Sequence, residues 1–347
     1  MSMWFELGGQ TLQVSGTDRQ ATRWMAEELA FHRVSTPNGP TRVSLRFDSR
    51  GAIGGGWQHY SRRLVARWRY RVQMSDQLVA IEAYGTRLSI PLVFHMLVSP
   101  AVRLMSARSG SLMLHSGTVS ENGQSIMFAG KGGAGKTTTT SMLLQTGGQN
   151  RGLQSDDYTF FSNGVTLPFV TRSHLYGDLL EWVPEIRSSL TRAEVIRARA
   201  FQIARNWSGG ALRWPVRVPQ HRLWGERTVD GKARPRLLLV LERGEVEEPT
   251  LLQASSSKAA SFLLEMNFGE ASRFIELLAK QYGEAWTASL VSEWRDLEQK
   301  LIGQLVRSVP VKALVMPRSL AAGGSKSILQ ELDAVLSAEP GSAEVAL

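Results

Sequence analysis

Residues 124–140 read QSIMFAGKGGAGKTTTT, and this stretch decides the fold. An apolar run of strand type, 124–129, leads into Gly130, Lys131, Gly132, Gly133, Ala134, Gly135, Lys136 and Thr137. These eight fit the spacing G-x-x-x-x-G-K-[ST] without a gap. Thr138 follows, and 141–144 continues as a helix. Glycines allow positive φ, so several N–H groups can turn toward one anion. The helix start adds unpaired N–H groups and the positive end of its dipole. The stretch is therefore expected to hold the phosphates of ATP, with the Lys136 charge on the β- and γ-phosphates and the Thr137 hydroxyl on Mg²⁺.

The chain has 347 residues, long enough for two domains. Its hydrophobic content of 43% supports real cores, and 20% charged residues is too few for a disordered chain. It contains no cysteine, which excludes a disulfide frame or a cysteine metal site and fits a reducing compartment. The start, MSMWFELGGQ, lacks the basic-then-apolar order of a signal peptide. No stretch approaches the roughly 18 apolar residues of a membrane span. The expectation is a soluble, cytoplasmic protein with no membrane partner. The net charge of +9 allows a polyanionic or acidic partner. Its arginines are scattered with no aromatic-interleaved patch, so nucleic acid is not expected as a partner.

Before the loop, residues 1–94 read as an α+β module for recognition or dimerisation. A hairpin turns at Gly8-Gly9, and a helix over 18–32 has Trp24, Met25, Leu29 and Phe31 as core candidates. Strands are expected at 43–47, 64–72, 78–84 and 88–93, with a flexible loop at 51–56. The larger domain, 95–340, opens with a helix over 95–108 and a strand over 112–119. After the loop, a strand over 153–161 carries Asp156 and Asp157 at its middle. Helical pattern over 176–204 breaks at Pro184, and 206–230 reads as a long loop. A strand at 236–241 precedes helices at 255–268 and 271–302, separated at Gly269. A strand at 309–316 and a helix at 325–336 finish the chain.

LHSGTV with His115, the glycine loop, and SDD at 155–157 line up in order. This constellation resembles the kinase domain of the HPr kinase/phosphorylase family, which shares its fold with phosphoenolpyruvate carboxykinases. The match is specific over 112–160 and looser over 110–320. The resemblance implies a P-loop-containing α/β domain of that type, carrying here the smaller N-terminal α+β module. It implies an ATP-dependent kinase acting on a hydroxyl, a serine of a small protein or peptide, and a homo-oligomer. It also implies that one aspartate is the base and the other organises Mg²⁺. We take Asp157 as base and Asp156 as metal partner, with His115 near the transferred phosphate. Independently of the family, phosphoryl transfer needs a metal at the β/γ oxygens and a carboxylate for the attacking hydroxyl. The family's second glycine signature, with its catalytic arginine, is absent. Arg213, Arg217 and Arg222 are candidates by composition, and Arg172 and His174 by position.

KGGAGKTT at 131–138 is also similar to the deviant loop of partition and Min-type ATPases, in which Lys131 would reach across a nucleotide-bound dimer. A non-catalytic nucleotide sensor is a third reading.

Overall fold

A computed structural model describes residues 2–48, 55–62, 66–146, 150–209, 214–229 and 231–317. The expected helix at 325–336, the loop over 51–54 and Arg213 lie outside them. The protein is mixed α/β, with four sheets among the described residues.

The strand Gln124–Gly130 lies centrally in a six-stranded sheet. It pairs antiparallel with Ser116–Glu121 and parallel with Arg234–Gly244. Its side chains alternate between two cores, as a period of two requires. Ile126 and Phe128 join Leu237, Leu239 and Leu241 on the face covered by Met142, Leu143 and Leu144 of the helix Lys136–Thr146. Met127 and Ala129 join Leu238 and Val240 on the other face. Burial on both faces explains why these strands are apolar without a break.

The second core is shared with a seven-stranded N-terminal sheet. Phe5, Leu12, Leu45, Phe47, Trp68 and Tyr70 pack in one cluster with Leu104, Phe274, Trp294 and Leu305 from three long helices. The Tyr70 hydroxyl donates to the Leu277 carbonyl (2.9 Å), and the Gln281 side chain accepts from Val72 N–H (3.0 Å). The boundary at 94 therefore separates sheets while the apolar core runs through it.

Several elements differ from expectation. Residues 88–93 are helical: a 3₁₀ turn Arg87–Ser89 leads into Ile90–Val93, with Pro91 in the first turn, where its missing N–H costs nothing. A π-turn at Phe94–Val98 joins this to the helix Ser99–Arg108. The continuous element Arg87–Arg108, 22 residues with an apolar window of mean hydropathy 1.6, is long and apolar enough to span a membrane, contrary to expectation, but 78% of that window is buried inside the protein. No break occurs at Gly269: one helix runs Ser256–Tyr282 and stops at Gly283, whose φ of +85° suits glycine. Phe31 is exposed instead of in the core. The expected loop at 206–230 carries a strand, Val216–Val218, and a helix, Gln220–Trp224.

Behind the sheets lies a buried polar network. Arg103 donates twice to Glu298 (both 2.6 Å), Trp294 Nε1 donates to Glu298 Oε1 (2.8 Å), and Asn267 Nδ2 donates to Glu298 Oε2 (3.2 Å). The Glu298 side chain is fully buried. Removing its charge strands a buried guanidinium. Glu298→Gln should therefore lower unfolding free energy by about 3–5 kcal/mol in urea titration. Arg273→Ala, which breaks a solvent-exposed pair with Glu276, should leave the urea midpoint close to that of the parent. Equal effects would show that the network carries no special weight.

Candidate functional site

Two neighbouring strands change sheets at the same level, and this builds the site. The first is Leu112–Leu114 in a three-stranded sheet and then Ser116–Glu121 in the six-stranded one. Its neighbour is Arg151–Ser155 in the six-stranded sheet and then Thr159–Ser162 in the three-stranded one. Thr118 faces Ser155 across one ladder, and Leu114 faces Thr159 across the other. The unbroken strands expected at 112–119 and 153–161 are thus each two strands, and Asp156 and Asp157 sit in the bend between them. Ser155 Oγ and Thr159 Oγ1 both donate to the Ser116 carbonyl (3.2 and 3.1 Å), replacing ladder bonds at the crossing.

His115 occupies the gap on one strand, and Asp156, Asp157 and Tyr158 occupy it on the other. His115 Nε2 is 2.9 Å from Asp157 Oδ1. Its ring lies 5.1 Å from the Tyr158 ring, and its backbone N–H donates to Asn267 Oδ1 (3.1 Å), tying it to the Glu298 network. Glu270 Oε1 stands 3.3 Å from His115 Nδ1, in ion-pair range but off the line of a hydrogen bond.

The glycine loop approaches from the neighbouring strand. Gly133 and Gly135 hold φ of +87° and +111°. A Cβ on Gly130 would meet the Leu241 carbonyl oxygen at 2.8 Å, so a side chain there would push the loop off the sheet. Ala134 is buried in the core beneath the loop, while Lys131, Gly132 and Gly133 are exposed. Lys136 is buried, and its Nζ donates to the Gly130 carbonyl (2.7 Å). Burial pushes its pKa down, against the pull of Asp157, Glu270 and Asp156. A cleft of about 240 Å³ is lined by His115, Asp157, His174 and the loop residues Gly132, Gly133, Gly135, Lys136, Thr137 and Thr138. Lys131 does not line it.

The two aspartates differ in surroundings. Asp156 is buried, and burial followed by the Asp157 charge raises its pKa to about 6, with Ser173 and Thr137 as hydrogen-bonding neighbours that oppose the rise. Asp157 opens partly to the cleft. Burial pushes its carboxyl up, but His115, by charge and hydrogen bond, outweighs this and holds it well below the usual carboxylate range. His174 and its neighbour His95 are lowered to about 4, by burial first and then by the Arg217 charge, so both rings are neutral at pH 7.

Among the described residues, no three His, Cys, Asp or Glu side chains are arranged to hold a metal by themselves. Mg²⁺ keeps several waters and substrate phosphates as ligands and asks the protein for one or two oxygens. The neighbouring Thr137 hydroxyl and Asp156 carboxylate fit that demand. The two glycines with positive φ and the Lys136 amine fit a phosphate chain.

The candidate arginines fall elsewhere. Arg217 bonds Glu28 Oε2 (3.0 Å) and His95 (2.9 Å), Arg172 bonds Glu28 (2.8 Å), and Arg222 pairs with Glu194 (2.9 Å). The arginines that do line the cleft are Arg205 and Arg243, neither of them expected. Glu270 and Ser173 were also missed; neither stands in a motif, and only folding brings them near His115 and Asp156.

Asp156 yields a stability test. Unfolded, it titrates near 3.8, and folded near about 6. Between these values the folded protein keeps a proton that the unfolded chain has released, so stability falls as pH rises through this window. The deficit is complete above it. Asp156→Asn should therefore raise unfolding free energy at pH 7.5 by about 1–3 kcal/mol, with the gain disappearing near pH 4. A variant less stable than the parent at pH 7.5 would contradict this assignment. No protein-family model and no curated protein matches the chain.

Proposed function

We propose that the chain is an ATP-dependent kinase, built on a P-loop domain of the HPr-kinase/carboxykinase type, that phosphorylates a serine hydroxyl of a small protein or peptide in the cytoplasm. One observation carries the reading. The double sheet crossing sets a cleft-facing carboxylate, Asp157, and a buried one, Asp156, against a glycine loop whose Lys136 and Thr137 line the same cleft. Phosphoryl transfer requires this division of labour.

Loop N–H groups from 132–137 and the Lys136 amine would hold the β- and γ-phosphates. Thr137 and Asp156 would hold Mg²⁺, which when bound neutralises charge on the β/γ oxygens. Asp157 accepts the hydroxyl proton as the acceptor oxygen bonds to the γ-phosphorus and the bond to the β–γ bridging oxygen breaks, releasing ADP. Its depressed pKa keeps it ionised at neutral pH. A weak base suffices because the transition state is loose and the proton moves late. His115 holds the Asp157 carboxylate in place from Nε2 and faces the cleft beside it.

The test is labelling with γ-phosphate-tagged ATP in a lysate of the source cell, read as a radioactive protein or peptide band. Lys136→Ala should abolish the band. Asp157→Asn should leave nucleotide affinity within about threefold and slow transfer by about 10²–10⁴. Full transfer by Asp157→Asn would overturn the base assignment. Phosphate release with no labelled acceptor would overturn the kinase reading in favour of a nucleotide switch.

A further inference from the structure

The helix Arg192–Trp207 presents large apolar side chains to solvent. Ile196, Ile203 and Trp207 are 67%, 57% and 90% exposed. At about 100° per residue they fall within roughly 40° of one another, forming one stripe along the helix. Arg192 and Arg199 flank it on one side and Arg197 on the other, all exposed. The helix carries a single acid, Glu194, which is committed to capping its N-terminus with Thr191 and to pairing with Arg222. Among the described residues, neither Arg192 nor Arg199 has an ion-pair partner.

The opposite side of the same helix is a wall of the cleft. Arg205 lies about 180° round from the stripe. It lines the cleft and donates to Asp178 Oδ2 (3.2 Å). Gly177 packs so closely on the helix that a Cβ there would meet the Ala198 carbonyl oxygen at 2.9 Å. The stripe therefore stands about one helix diameter, roughly 10–12 Å, from the cleft wall. A segment passing round the helix follows half its circumference, roughly 16–19 Å, which takes about five or six extended residues.

We propose that this stripe docks the acceptor through an acidic segment with apolar side chains, holding the acceptor hydroxyl within reach of Asp157. The inference rests on the kinase reading for the acceptor's identity, and on the stripe itself for its chemistry. Solvent-exposed Ile and Trp side chains favour an apolar partner, and three arginines around them select one carrying carboxylates. A second copy of this chain is disfavoured, because its own arginines would face these across the contact.

Two synthetic helix-forming peptides serve as probes, one of glutamate and leucine, the other of lysine and leucine, each fluorescein-labelled and titrated with the full-length protein. The glutamate peptide should bind and the lysine peptide should not. The double variant Ile203→Ser, Trp207→Ser, altered only at exposed positions, should weaken binding by about tenfold or more. Arg199→Glu should do the same. In the lysate experiment the double variant should bind nucleotide like the parent and label its acceptor at least about tenfold more slowly at low acceptor concentration. Equal binding of both peptides, or no loss in the variants, overturns the proposal. So does a parent dimer that the double variant turns into a monomer, binding to anionic vesicles that the variant loses, or cross-links from position 203 to this chain's own residues 318–347. If the parent labels nothing yet the glutamate peptide behaves as described, the kinase reading fails and the docking surface stands. If the variant labels at the parent rate, the docking surface fails and the kinase reading stands.

Discussion

The site depends on two adjacent strands leaving one sheet for another at the same level. A backbone in a ladder has its N–H and C=O groups taken and its side chains sent alternately to opposite faces. At a crossing that constraint relaxes, and consecutive residues can turn toward a common space. His115 meets Asp157 this way, and Asp156 and Asp157 acquire different surroundings although they are neighbours in sequence. Ser155 and Thr159 make the crossing affordable by supplying hydroxyls to the Ser116 carbonyl.

Rigidity comes from behind. The His115 peptide is anchored by Asn267, which is anchored by Glu298, which is held by Arg103 and Trp294. Arg103 belongs to the apolar helix that packs on the N-terminal sheet, and Asn267 and Glu298 belong to the two long C-terminal helices. One chain of buried polar contacts thus joins elements from widely separated parts of the sequence at the back of the cleft. The low dielectric there strengthens each bond and makes each unmade one expensive, which favours a single arrangement.

What was legible in the sequence was local chemistry. The glycine loop could be read because its spacing is dictated by backbone geometry within one turn. His115, Asp156 and Asp157 were found because they sit at set distances from it. The strand crossing was not legible, since serines and threonines bonding to carbonyls look like any polar strand residues. Residues 88–93 read as a strand because a short apolar run does not distinguish helix from strand; in the fold Ser89, Ile90 and Val93 are buried and Leu88 is exposed. Gly269 looked like a break, but a glycine costs a helix only about 1 kcal/mol, and Phe268 and Ala271 are buried on either side of it. Glu270, Arg205 and Arg243 carry no local signal; their place beside the cleft is purely a product of the tertiary fold.

The Lys136 amine rests on the Gly130 carbonyl at the start of its own loop. That bond takes one of the ammonium's three N–H donors and fixes where the other two point. Exchange for another neutral oxygen gains nothing, whereas exchange for an ionised one gains a bond about twice as strong. An amine tethered this way ranks visitors by charge, an ionised oxygen above a neutral one.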